Sequence, residues 1–453
     1  MNSENVLGGS IVKSLFKMAI PLFFLNLLNS LYGVVDTYFV GKIGELAVGS
    51  ISLTTPIMWC AMSVAMGLSA GATAIVSTYI GSQDKKTASR FSTEIIYFCI
   101  FFALLLTSIT FILCKPILNY LKAPSEIYQE AYNYLRIISF DYIGLFFIDI
   151  YMAIRQACGD SKSGVIYSSI ASILNVILDP IFIFLFHLGV SGAALATVLS
   201  KLLVLPVLLH SLMNQNKEAY VSFKEFKFNI KDAFHIMKLS IPSSLGQFLE
   251  AVGFVIMNKY IVSYGAIAIT AYGVGEKLTN LYNIPIISFS NILPTFIGQN
   301  LGANQIKRAK DSYKKAMIIT SILAIALLEL GIVIMRPSIL LFVPSASNEL
   351  ISTTSTFIFY SLVMGLFVAW YFNLMAVFNG SGNTQISFIM SMIRLWGTRI
   401  PMIYLFSKYT TIGLNGIWYA MLLSNLIVSV IAQIIYFIYP WTKSKALANK
   451  DTL

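Results

Sequence analysis

The chain has 453 residues, of which 57% are hydrophobic and only 11% charged, with a formal net charge of +11. A soluble domain carries about 25% charged residues, so this composition excludes one and makes lipid the solvent for most of the chain. Apolar spans recur that are long enough to cross ~30 Å of hydrocarbon, and they are too long and too even for barrel strands. Backbone groups left unpaired in lipid then require helices, so the expected fold is an all-α integral membrane protein.

Twelve spans are expected, at about 14–40, 46–80, 92–114, 129–156, 163–186, 189–212, 236–262, 267–300, 315–336, 352–379, 386–407 and 412–440. The first contains Pro21 near its start, where the ring removes a backbone donor and predicts a kink, and Asp36 further along. Met58, Met62 and Met66 recur every four residues on the second. The fourth carries Asp141 and Asp149, and the fifth carries Asn175 and Asp179, which share a helix face at i and i+4. After the sixth comes the one long polar connection, and the seventh restores the pattern of the first with Pro242, followed by Glu250. Glu276 lies in the eighth, next to Lys277.

The sequence is written twice at an offset of 221 residues: Ile20-Pro21 returns as Ile241-Pro242, Gly81 as Gly302, and Gly144-Leu145-Phe146 as Gly365-Leu366-Phe367. A repeat of this length is a domain-sized unit. The expected organisation is an amino-terminal six-helix lobe (1–212), an inter-lobe linker (213–235) and a carboxy-terminal six-helix lobe (236–453). Most cations fall in alternate loops, among them Lys85, Lys86, Arg90, Lys224, Lys227, Lys307, Arg308 and Lys450, whereas the opposite loops hold few, such as Lys42, Lys115, Lys122 and Lys408. By the positive-inside rule both termini are cytoplasmic, and the basic charge is topological rather than a nucleic-acid surface. An even number of helices per lobe relates the lobes by a pseudo-two-fold axis along the membrane normal, an arrangement of secondary transporters. Gly81 and Gly302 suit left-handed helix caps, and the four cysteines read as buried apolar thiols.

Ionisable side chains inside a span cost about 2.5–3.5 kcal/mol on insertion scales, so each marks function by default. Two carboxyls and an amide from neighbouring helices can hold a proton or a small hard cation through oxygen ligands. No P-loop, HExxH or GxSxG motif is present, which argues against an ATP-driven pump and against an intramembrane enzyme.

The chain resembles the multidrug and toxic compound extrusion (MATE) family over its whole length. The resemblance rests on Pro21 with Asp36, the Asn175-Val-Ile-Leu-Asp179-Pro180 run, Gly192 to Thr197, and the twin loops after Gly81 and Gly302. It implies a cation-coupling site formed by Asp36, Asn175, Asp179 and Thr197, with Tyr32 lining the same lobe. Glu250 looks like the helix-seven acid of the sodium-driven branch, but no carboxyl lies between Phe367 and Asn373, where that branch carries one in helix ten. Glu250 therefore either takes part in coupling or attracts a cationic substrate. Glu276 lines the cavity or pairs with Lys277. The implied activity is H+- or Na+-coupled antiport of amphipathic, often cationic, organic compounds across the cytoplasmic membrane. The expected protein is a functional monomer in the lipid bilayer with no cofactor and no metal beyond Na+. A lipid-linked oligosaccharide flippase or a dedicated metabolite exporter of related architecture is the alternative; a flippase would place several cations in the cavity.

Overall fold

The computed structural model describes all residues except 1–5, 122, 225–227, 345 and 448–453, and all side chains among these except 34, 37 and 45. The loop cations Lys122, Lys227 and Lys450 lie outside the described residues. The rest form twelve helical rods: α1 Ile11–Ile43, α2 Glu45–Gly81, α3 Lys85–Tyr120, α4 Ser125–Ile138 with Asp141–Ala157, α5 Ser161–Pro180 continued by Ile181–Leu185, α6 Gly189–Met213, α7 Ile230–Val262, α8 Ala266–Gly302, α9 Ile306–Phe342, α10 Asn348–Gly380, α11 Thr384–Met392 with Ile393–Arg399 and Ile400–Tyr409, and α12 Asn415–Ile438.

Nine of these helices are long and apolar enough to cross a membrane, and the two parts of α4, bent by 43°, make a tenth span. The other two rods, α8 and α11, are more polar than the sequence reading made them. Glu276, Lys277, Asn280, Asn283 and Asn291 dilute α8, and Arg394 and Arg399 interrupt α11. The bend in α4 falls at Ser139, whose carbonyl accepts a hydrogen bond from Thr107 Oγ1 of α3 at 2.9 Å beside a longer one from the Tyr142 N–H at 3.4 Å. α1 and α7 run unbroken through Pro21 and Pro242. α7 begins at Ile230, earlier than expected, because the Asn229 side chain accepts from the Lys231 N–H at 3.0 Å and caps it.

The duplication is visible in packing and backbone. α1 packs on α5 as α7 packs on α11, and α2 on α4 as α8 on α10. Left-handed backbone recurs in pairs at Gly159 and Gly382, at Gly189 and Gly413, and at Gln83 and Asn304. The last pair corrects an expectation. Gly81 and Gly302 are the final helical residues, and the left-handed turn falls two residues later on side-chain-bearing residues. The glycines serve close approach instead: a Cβ on Gly81 would collide with the Gln299 backbone, and one on Gly302 with the Thr78 backbone. Cys60 is also corrected, being exposed, while Cys99, Cys114 and Cys158 are buried.

The two halves meet at the end that carries Val6 and Leu447. Two apolar clusters there draw on both: one joins Ile75, Phe91 and Ile154 to Ile236 and Leu239, the other joins Leu15 and Met18 to Phe296 and Val377. Polar links reinforce them, with Arg90 paired to the buried Asp232 at 2.9 Å, Gln299 Nε2 donating to the Ala157 carbonyl at 2.6 Å and Gln156 Nε2 donating to the Asn291 carbonyl at 2.6 Å. At the opposite end the apolar clusters are separate. One around Val40, Tyr134 and Val190 belongs to the first half, and one around Met257, Trp418 and Met421 to the second. The molecule is joined at its basic end and divided at the other.

Candidate functional site

In the first half, α1, α4, α5 and α6 converge on a buried polar cluster. The i, i+4 spacing on α5 sets Asn175 and Asp179 on one face, and both are buried. With the Asn175 amide oriented so that Oδ1 accepts from the Thr197 N–H at 3.0 Å, its Nδ2 donates to Asp179 at 3.2 Å and to the Tyr32 hydroxyl at 2.9 Å. One amide thus ties α1, α5 and α6 together, while Thr197 Oγ1 donates back to the Ala193 carbonyl at 3.0 Å. Asp36, half-buried on α1 one turn beyond Tyr32, lies close enough to Asp179 for the two carboxylates to interact electrostatically. Tyr134 of α4, which the sequence did not single out, is within electrostatic reach of both acids. Among the described residues no Lys, Arg or His forms an ion pair with Asp36 or Asp179. Pro180 ends the α-helical run directly after Asp179, and α5 continues as a π turn, a device common at functional sites. Two carboxylates facing each other in a low-dielectric bundle repel, and one proton or one hard monovalent cation relieves that repulsion.

The other intramembrane charges are arranged differently. Lys201 Nζ of α6 donates to Asp141 of α4 at 2.6 Å, and it also acts electrostatically on Asp149. Gly144 makes room for it, since a Cβ there would sit against the Lys201 stem. Glu250 of α7 pairs with Arg394 of α11, so its charge is already compensated within the second half. Glu276 is half-buried and interacts with Tyr272 one turn back on α8, not with Lys277. No sequence signal joined Asp141 to Lys201 or Glu250 to Arg394, because each pair comes from separate helices.

The family profile described as MatE matches the chain twice, over residues 21–181 and 242–405, at the spacing of the internal repeat. The chain belongs to the MatE family. MatE membership makes it a membrane transporter rather than an enzyme. The chain is 23% identical over 452 residues to the probable multidrug resistance protein NorM of Thermotoga maritima, covering 97% of this chain and 95% of that one. It is 26% identical over 437 residues to the multidrug export protein MepA of Staphylococcus aureus, covering 94% of each. A solved structure described as the outward-facing conformation of a multidrug resistance MATE family transporter superposes with a TM-score of 0.91 at 21% identity, covering 97% of this chain and 98% of that one. At that identity the superposition speaks for the fold alone, an all-helical one with many apolar helices among the described residues.

Proposed function

We propose that the chain exports amphipathic, often cationic, organic compounds across the cell membrane in exchange for H+ or Na+, with Asp36, Asp179, Asn175, Thr197 and Tyr32 as the coupling site. The observation that carries this reading is the pair of acids without a basic ion-pair partner among the described residues, Asp179 bonded into a network across α1, α5 and α6 and Asp36 within electrostatic reach of it. Relatives named for multidrug resistance and multidrug export agree with it. In the same reading both termini lie in the cytoplasm, where the loop cations gather, and the division between the halves opens to the outside. Binding of the ion would change how α1 packs on α5 and α6, and so bias the closure of one end against the other; coupling requires that ion and substrate prefer different states. Glu250 does not take part, since Arg394 already occupies its carboxylate. The unit of transport is one chain in the bilayer.

A lipid-linked pyrophosphate would need several free cations in the cavity. Lys201 and Arg394 are paired, Arg155 donates to the Glu218 and Ala219 carbonyls, Lys277 is exposed, and Arg136 is exposed over the Phe111 ring at 4.5 Å, which leaves Arg399 among these as a buried cation without a carboxylate. The exporter reading is therefore preferred to the flippase reading.

The test is efflux of ethidium from proteoliposomes under an imposed proton gradient and, separately, a Na+ gradient, with Asp36→Asn and Asp179→Asn beside the wild type. Gradient-driven efflux lost in both variants supports the site, and the gradient that works names the ion. Efflux that survives both substitutions rejects the site, and no efflux under either gradient rejects the exporter reading.

A further inference from the structure

The second half contains a charged cluster in the place that mirrors the coupling site, with its sign reversed. α1, α4, α5 and α6 supply the acids and amide of the first half. Their repeat mates α7, α10, α11 and α12 supply Glu250 and Phe254, Tyr371, Arg394 and Arg399, and Ser424. Both arginines sit on the π turn Ile393–Arg399 of α11. On an α-helix residues five apart point about 140° away from each other, whereas an i→i+5 turn brings them close to one face. Thr398 Oγ1 lies against the Ile393 and Arg394 carbonyls at 3.0 and 2.8 Å, and Trp396 Nε1 donates to the Leu249 carbonyl of α7 at 3.0 Å, so the turn is fixed by its own side chains.

The two guanidiniums are unequally provided for. Arg394 has Glu250 as counter-ion and stacks over the Tyr371 ring at 4.5 Å, with its Nε buried and without a partner. Arg399 is 2% exposed, its Nε donates to Ser424 Oγ at 3.0 Å, and its guanidinium lies 6.0 Å from the Phe254 ring centre. Among the described residues no carboxylate pairs with it, and the charged groups that act on it are Arg394 and Glu250. The cluster therefore holds two positive charges against one negative charge. An uncompensated buried ion is strongly unfavourable, and a guanidinium is built to take a carboxylate through two parallel N–H donors.

We propose that Arg399, with Arg394 beside it, forms a buried site for one singly charged anionic group, either the carboxylate of a transported amphiphile or a small free anion such as formate or chloride. The substrate source rests on the exporter reading above; the free-anion source does not. In the first case the transporter accepts zwitterionic compounds as well as cations, its two halves taking charges of opposite sign.

The test uses the full-length protein in nanodiscs and two dyes that differ in one group, rhodamine B with a free carboxylate and its ethyl ester, with binding read by fluorescence anisotropy. A second arm reads thermal unfolding in sodium isethionate, then after addition of chloride or formate. A substrate site gives the wild type about tenfold tighter binding of the acid than of the ester, a preference that falls to near one in Arg399→Gln while the ester binds as before. A free-anion site gives no dye preference but a rise in Tm with chloride or formate that Arg399→Gln abolishes. If the wild type binds neither dye, the exporter reading falls and the thermal arm alone decides the anion site. An acid preference and an anion-dependent Tm that are both absent, or both unchanged by the substitution, overturn the proposal. Should Arg399→Gln fail to fold, Arg399→Lys, which keeps the charge but loses the two-pronged geometry, carries the same test with a reduced rather than abolished effect.

Discussion

Gly81 and Gly302 occupy mirrored positions at the junction of the halves: each lies where an added Cβ would strike the backbone of the other half's axial helix, at Gln299 and at Thr78. The relationship makes this end of the molecule sensitive to a single methyl group. Gly302→Ala forces α2 and α8 apart at a contact made of main chain, which cannot repack as a side chain would, and costs about 1–3 kcal/mol. A lower Tm is expected, together with faster maleimide labelling of a cysteine placed at the buried Thr295 in a cysteine-free background. Unchanged labelling would show that the junction tolerates separation.

Arg90 and Asp232 hold the same end together from the outside. Asp232 is buried while Arg90 remains partly in solvent, so removing the arginine strands a carboxylate. Arg90→Ala should cost about 1–3 kcal/mol, and Arg90→Ala with Asp232→Asn should recover part of it, because the double variant no longer leaves Asp232 as a buried carboxylate without its cation. Thermal unfolding of both variants measures the order, and additive losses would contradict it.

Asn175 is the joint of the proposed coupling site. Asn175→Ala removes the contacts to Tyr32, Asp179 and the Thr197 N–H at once and leaves both acids in place. Ion-driven efflux should fall by at least about tenfold, with Asp36 and Asp179 still present, if the network transmits ion binding; two or three hydrogen bonds at about 0.5–1.5 kcal/mol each set that scale. Efflux at the wild-type rate would make Asn175 a packing residue.

Glu250 provides a contrast with Asp36. Because Arg394 compensates it, Glu250→Gln should leave the ion dependence of transport unchanged while lowering Tm, since Arg394 then lacks its counter-ion. A changed ion requirement would bring the second half into coupling.

Gln83 and Asn304 carry left-handed backbone at φ +62° and +57° without being glycine. Gln83→Gly relieves a conformation that costs a side-chain-bearing residue about 1–2 kcal/mol, offset in part by the greater freedom of glycine in the unfolded chain. A small net rise in stability is expected, larger for Gln83 than for Asn304, because asparagine tolerates the left-handed region. Chemical denaturation of the purified protein compares the two.

The rods were legible because lipid imposes length and hydrophobicity on most of them, α8 and α11 being the more polar two, and the duplication was legible because matching residues recur at one offset along the chain. Asp36, Asn175 and Asp179 stood out for a related reason: a charge within a span is costly, and i, i+4 spacing fixes a shared face. Partners across helices had no such signal. Lys201 meets Asp141 60 residues away, and Arg394 meets Glu250 144 residues away, with only the fold to join them. Gly81 and Gly302 were placed correctly but read for turn freedom, because a helix-terminal glycine gives the same local pattern whether it serves a turn or a close crossing. The π turn that aligns Arg394 with Arg399 is equally hidden, since its sequence, Ile-Arg-Leu-Trp-Gly-Thr-Arg, reads as ordinary helix with two isolated charges.

The seam at the basic end also sets how well the protein insulates. A transporter driven by an ion gradient, as proposed above, must not let ions bypass its cargo, and a continuous thread of water between the halves would let them pass. Leu15, Met18, Ile75 and Phe296 pack apolar side chains into the two clusters at this end, and the glycine crossings bring the main chains of the two halves into close contact. Substitutions that loosen the seam should therefore appear first as a passive ion leak in unloaded vesicles, before any effect on cargo export is measurable.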